Sequence, residues 1–208
     1  MSLGMVLAFG LLLGMRHATE PDHLAAVTSM ASRERSLMAG MFHGIAWGIG
    51  HTLVLLIVAG ALGVLGRVIS PLAAGNMERV VGAMLILLGF GVVRRLWHEG
   101  IHAQRIAHAH SPRLPWRSVV VGMVHGLAGS AALALVASQS MPSPSWMLIY
   151  IAVFGLGSIL GMALLSGVLA LPLGLTARRH GGAYRVLNGS VALFSLVLGG
   201  RLLFALGG

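Results

Sequence analysis

A chain of 208 residues that is 57% hydrophobic, only 9% charged and free of cysteine excludes a soluble enzyme core, a disulfide scaffold and thiolate chemistry. Its formal charge of +9 comes from arginines placed mostly between long apolar runs, which marks membrane topology and not a nucleic-acid surface. With a mean hydropathy of +0.90, the chain reads as an all-α, polytopic membrane protein.

Six runs are long enough to cross a bilayer: roughly 3–29, 37–65, 73–97, 116–139, 145–171 and 186–206. They predict one transmembrane domain over 1–208, with a first half (about 1–97) and a second half (about 116–208) on either side of a His-rich connection (about 98–115). No basic n-region precedes the first run, which reads as a retained span. Arg33, Arg35, Arg94, Arg95, Arg105, Arg113, Arg117, Arg178, Arg179 and Arg185 fall in the first, third and fifth connections, against Arg67, Arg79 and Arg201 on the other side. The positive-inside rule then places both termini outside the cytoplasm of an inner (plasma) membrane.

The first span is longer than the ~20 residues a crossing needs, and it contains His17-Ala-Thr-Glu-Pro-Asp-His23. Two imidazoles and two carboxylates at membrane depth are costly unless they line a polar cavity, so they are functional candidates. Pro21 predicts a break here, because it lacks the N–H that would bond the His17 carbonyl. In an unbroken helix His17 and His23 would point about 120° apart; a break lets both face one point. Glu20 is expected to pair with Arg16, one helical turn back.

The second span carries His43 and His51, which share a face at different depths. His43 has two readings, a ligand or a hydrogen-bonding partner of a neighbouring helix. The third span is apolar scaffold. The connection after it holds His98, His102, His108 and His110, and reads either as a solvated basic loop or as a metal-binding tract where a cytoplasmic metallochaperone docks.

The fourth span places His125 inside the membrane. Gly14-Met15-Arg16-His17, Gly40-Met41-Phe42-His43 and Gly122-Met123-Val124-His125 form an internal echo. The first and fourth spans open the two halves and run in opposite directions, which fits two inverted three-helix repeats. Gly157 and Gly161 mark a helix-packing seam in the fifth span, which Pro172 is expected to end or kink. In the last span Asn188, Ser190 and Ser195 suit interhelical hydrogen bonds.

Imidazole with carboxylate suits borderline first-row divalent ions, so nickel or cobalt is favoured over magnesium, with zinc also compatible. The candidate ligands are His17, Asp22, His23 and His51, with His43 and His125 as further candidates. These residues carry a resemblance. His17-x4-Asp22-His23, preceded by Arg16, resembles the first signature of the nickel/cobalt transporter family, and Gly50-His51-Thr52 is similar to its second. The Gly-Leu-Ala-Gly-Ser run after His125 resembles the short urease accessory UreH-type branch. The acidic motifs of the larger permeases are missing from the fourth and fifth spans, and Pro21 departs from their usual signature. The resemblance implies a non-enzymatic nickel or cobalt permease, expected to work in uptake, whose metal is cargo and not a cofactor. Efflux, or delivery of metal to urease or hydrogenase maturation, is the alternative.

Overall fold

The computed structural model describes residues 3–31, 36–66, 69–99, 115–141, 143–179 and 181–204. Among them are seven helices and no strand: α1 (Leu3–His17), α2 (Pro21–Ala31), α3 (Leu37–Val64), α4 (Pro71–Glu99), α5 (Trp116–Ser140), α6 (Pro144–Arg179) and α7 (Gly181–Phe204). Four of them, α3, α4, α6 and α7, are long and apolar enough to cross a membrane. α5 is 25 residues long, a length that can also cross, and sets His125 among apolar residues. Most of the 98–115 connection lies outside the described residues.

Local chemistry sets the helix boundaries. Ser36 caps α3 by accepting from the Ala39 N–H at 3.2 Å, and Gly66, at φ 62°, takes the left-handed conformation just past the end of that helix. α4 and α6 both open with Ser-Pro: Ser70 and Ser143 each accept a free N–H, and Pro71 and Pro144 occupy a first-turn position where no donor is missed. Pro172 does not end its helix, since α6 runs through it to Arg179. At membrane depth a continuous helix keeps the remaining backbone groups bonded, and ending it would expose them to lipid.

α3 is the central helix and packs along both α5 and α6; α1 lies on α6, α4 pairs with α7, and α2 fills the space against α6 and α7. In lipid such contacts depend on close packing more than on the hydrophobic effect, which is why small residues sit at the seams. Outward-facing Leu87, Phe90, Val186 and Phe204 leave α4 and α7 with apolar outer surfaces. Ser195 of α7 donates to the Ala25 carbonyl and shares a 2.8 Å hydrogen bond with Ser29 of α2. Asn188 accepts from Arg95 of α4, whereas Ser190, among the described residues, bonds along its own helix to the Val186 carbonyl.

Candidate metal centre

The first predicted span is two helices joined by a three-residue turn. α1 stops at His17 and α2 starts at Pro21, where the ring costs no hydrogen bond. The His17 carbonyl is not left free, as the proline alone implies: the Glu20 N–H bonds it at 3.1 Å while the Thr19 N–H and hydroxyl both bond the Arg16 carbonyl. Asp22 sits in the first turn of α2, where the helix dipole favours a carboxylate.

This break brings His17 and His23 together, with ring centroids 4.3 Å apart. His51 reaches the pair from α3 at 5.2 Å from both rings, and His125 reaches His23 from α5 at 4.8 Å. Ligand atoms of His17, His23 and His51 lie within 4.8 Å of one another, and so do those of Asp22, His23 and His125; His23 belongs to both groups. His51, His125 and His23 are 0%, 1% and 2% exposed.

The ring nitrogens are used unevenly. Nδ1 of His23 bonds Oδ1 of Asp22 at 3.0 Å, and Nδ1 of His17 meets Oε2 of Glu20 at 3.0 Å. Nδ1 of His125 is held, at 3.4 Å, by the Val121 carbonyl one turn back. In all three rings Nε2 is buried without a hydrogen-bond partner, and in His51 both nitrogens are. An imidazole whose Nδ1–H donates to oxygen carries its lone pair on Nε2, the arrangement of a metal-binding histidine held by an outer carboxylate or carbonyl. Each orphaned buried polar atom costs about 1–3 kcal/mol, so a cluster of them is explained by a ligand that the nitrogens can share.

Glu20 therefore pairs not with Arg16, four residues back, but with His17, three residues back. His43 stays outside both groups and bonds Ser118 of α5 through Nδ1 at 2.7 Å, the second of its two readings. Two residues the sequence reading passed over also shape the site. Trp47, fully buried, has its ring 5.3 Å from both His23 and His125, and Phe154 stands 5.4 Å from His17. Trp47 lies one turn before His51 on the same helix face, a signal that was readable but looks like ordinary core.

A cavity of about 510 Å³ adjoins the cluster and is lined by Leu13, Arg16, Glu20, Asp22, Glu78, Tyr150 and Phe154 together with His17 and His23. Three of the chain's five acidic residues, Glu20, Asp22 and Glu78, face this space, which favours a cation approaching through it.

The chain is 34% identical over 182 residues to the urease accessory protein UreH of Bacillus sp. (strain TB-90), an alignment that covers 84% of this chain and 80% of that protein. No family profile and no solved structure matches it.

Proposed function

Since the chain belongs to the family of the urease accessory protein UreH, we propose that it is a membrane permease for a divalent transition-metal ion, nickel first and cobalt second, working in uptake. The observation that carries this reading is the set of buried, unpartnered imidazole nitrogens on His17, His23, His51 and His125, gathered beside Asp22. Nitrogen donors with one carboxylate suit nickel and cobalt; magnesium and calcium prefer all-oxygen cages. His17, His23, His51 and Asp22 form the binding set, His125 completes it, and His43 lies apart from it.

In this reading α1 and α2 together make the first of six crossings, and both termini face away from the cytoplasm, as the arginine distribution supports. Entry of a cation into a negative cell is driven by about 2.3 kcal/mol per charge per 100 mV, twice that for a divalent ion. The test is equilibrium nickel binding to the purified protein alongside nickel accumulation in expressing cells. His51→Ala and His23→Ala should abolish both; wild-type affinity in either variant would remove the assignment.

A second reading has one observation behind it, the accessory role for which the relative is named. Here the membrane site holds nickel for transfer to urease maturation, with a cytoplasmic metallochaperone docking on the 98–115 connection. Deleting that connection separates the two: flux into sealed liposomes persists for a permease, and only urease activation is lost for a docking factor.

A further inference from the structure

Two sets of contacts flanking the cluster repeat with their partners exchanged. A side chain at Gly14 of α1 would strike the Phe154 carbonyl of α6, and one at Gly157 of α6 would strike the Leu11 carbonyl of α1. In the same way a side chain at Gly122 of α5 would strike the Trp47 carbonyl of α3, and one at Gly50 of α3 the Val119 carbonyl of α5. Within each helix the two contacting residues are one turn apart, so the two interfaces share a register.

Where α3 crosses α6 the relation maps the interface onto itself, with Gly48 against Ile159 and Gly155 against Thr52. Between α4 and α7, Gly82 meets the Gly199 carbonyl and Gly199 meets the Gly82 carbonyl, both at 2.7 Å from an added Cβ. One approximate two-fold rotation that exchanges α1 with α5, α3 with α6 and α4 with α7 accounts for all of these contacts. It carries His17 beside Phe154, at 5.4 Å, onto His125 beside Trp47, at 5.3 Å.

The open cavity must then have a counterpart. Its wall on the side where α1 and α6 begin is Leu13, Tyr150 and Phe154, and the rotation turns these into Val121, His43 and Trp47. Tyr150 packs over Gly10 on that side; His43 bonds Ser118, the residue equivalent to Gly10, on the other. Phe154 borders open space, whereas Trp47 is fully buried between His23 and His125. His43, Trp47 and His51 stand four residues apart along α3 and so share one face, with His43 about 12 Å along the axis from His51.

Resting on the permease reading above, we infer that the exchanged wall is the second half of the ion's path, closed in this conformation, with Trp47 as its gate and His43 as the imidazole that takes up the divalent ion beyond it. Rocking one half of the bundle against the other would open this half as the first closes, the general behaviour of inverted repeats around a fixed midplane site.

The natural absence of cysteine makes the test direct. In sealed proteoliposomes, Leu13→Cys should react with a membrane-impermeant maleimide from one face, and Ser118→Cys only from the opposite face, at least tenfold faster during nickel flux than at rest. His43→Ala should bind nickel within about twofold of wild type while its flux falls at least tenfold; His43→Gln repeats the measurement if the alanine variant does not assemble. Trp47→Leu should make Ser118→Cys reactive without nickel. Labelling of Ser118→Cys from the same face as Leu13→Cys, or wild-type flux in both His43 variants, would overturn the inference and leave the site reading intact. Undiminished nickel affinity in His51→Ala would instead remove the site reading on which it rests.

Discussion

Asp22 and His23, neighbours in the chain, are bonded to each other through Oδ1 and Nδ1 at 3.0 Å, and this bond decides which nitrogen of His23 is left for a metal. Because Nδ1 is engaged, Nε2 alone remains, buried and without a partner, at the point where the two ligand groups overlap. The other carboxylate oxygen of Asp22 lies 3.8 Å from Nε2 of His125, so the same side chain also bears on the candidate ligand from α5.

Replacing Asp22 by Asn tests this double role with little change of shape. An amide oxygen still accepts from Nδ1 of His23, but the negative charge facing a divalent cation is gone. Loss of an outer partner of a metal-binding histidine typically weakens binding by about 10–100-fold. Titration calorimetry of purified D22N with nickel should show a loss in that range or beyond it, at unchanged stoichiometry.

Glu20 gives a matched pair of variants. It holds Nδ1 of His17 as Asp22 holds that of His23, but from an exposed position on the turn. E20Q is expected to weaken nickel binding by about tenfold, the low end of the outer-partner range. Arg16→Gln, which removes a cation from the cavity wall, should leave affinity equal or tighter. If instead the two variants shift affinity by similar amounts in opposite directions, Glu20 acts through general charge and not through His17.

How far this arrangement was legible depended on which physical constraint acted. Ionisable groups inside an apolar run stand out by cost alone, so His17, Asp22 and His23 were visible, and Pro21 announced the division between α1 and α2. The partners of Glu20 and of the His17 carbonyl were not, because both depend on how a three-residue turn closes, and one missing N–H does not specify that. His125 was visible through the Gly-Met-x-His echo. His43 carries the same echo, yet lies on the stripe of α3 well before His51 and meets Ser118. Trp47 was missed because a large aromatic on an apolar helix usually signals core, and its contact with two imidazoles exists only once α2, α3 and α5 are assembled.

Glu78 lines the cavity from α4 but belongs to neither ligand group. A charge so placed changes how often a cation arrives more than how tightly it is held. E78Q should therefore keep equilibrium nickel affinity within about twofold of wild type while initial flux falls several-fold at low ionic strength. At 1 M salt, where screening acts within about 3 Å, the difference should vanish. A flux defect that is independent of salt would point to a contact with the ion and not to steering.

The glycine seams support the site mechanically, and this predicts coupled loss of stability and binding. A Cβ at Gly122 meets the Trp47 carbonyl on the interface that sets α5, with His125, against α3, with His51. Backbone cannot move aside as a side-chain end can, so Gly122→Ala must push the two helices apart. Overpacking of this kind costs about 1–3 kcal/mol. Gly189 of α7 provides the control, since nothing lies within 4 Å of an added Cβ there. Gly189→Ala should melt at or slightly above the wild-type temperature in detergent and bind nickel normally. Gly122→Ala should melt lower and, below its melting point, still bind nickel more weakly, because the ligands from α3 and α5 no longer meet at the spacing of the wild-type seam. A Gly122→Ala protein that is destabilised yet keeps full affinity would show that His125 is dispensable, and that the group on α2 and α3 holds the ion without it.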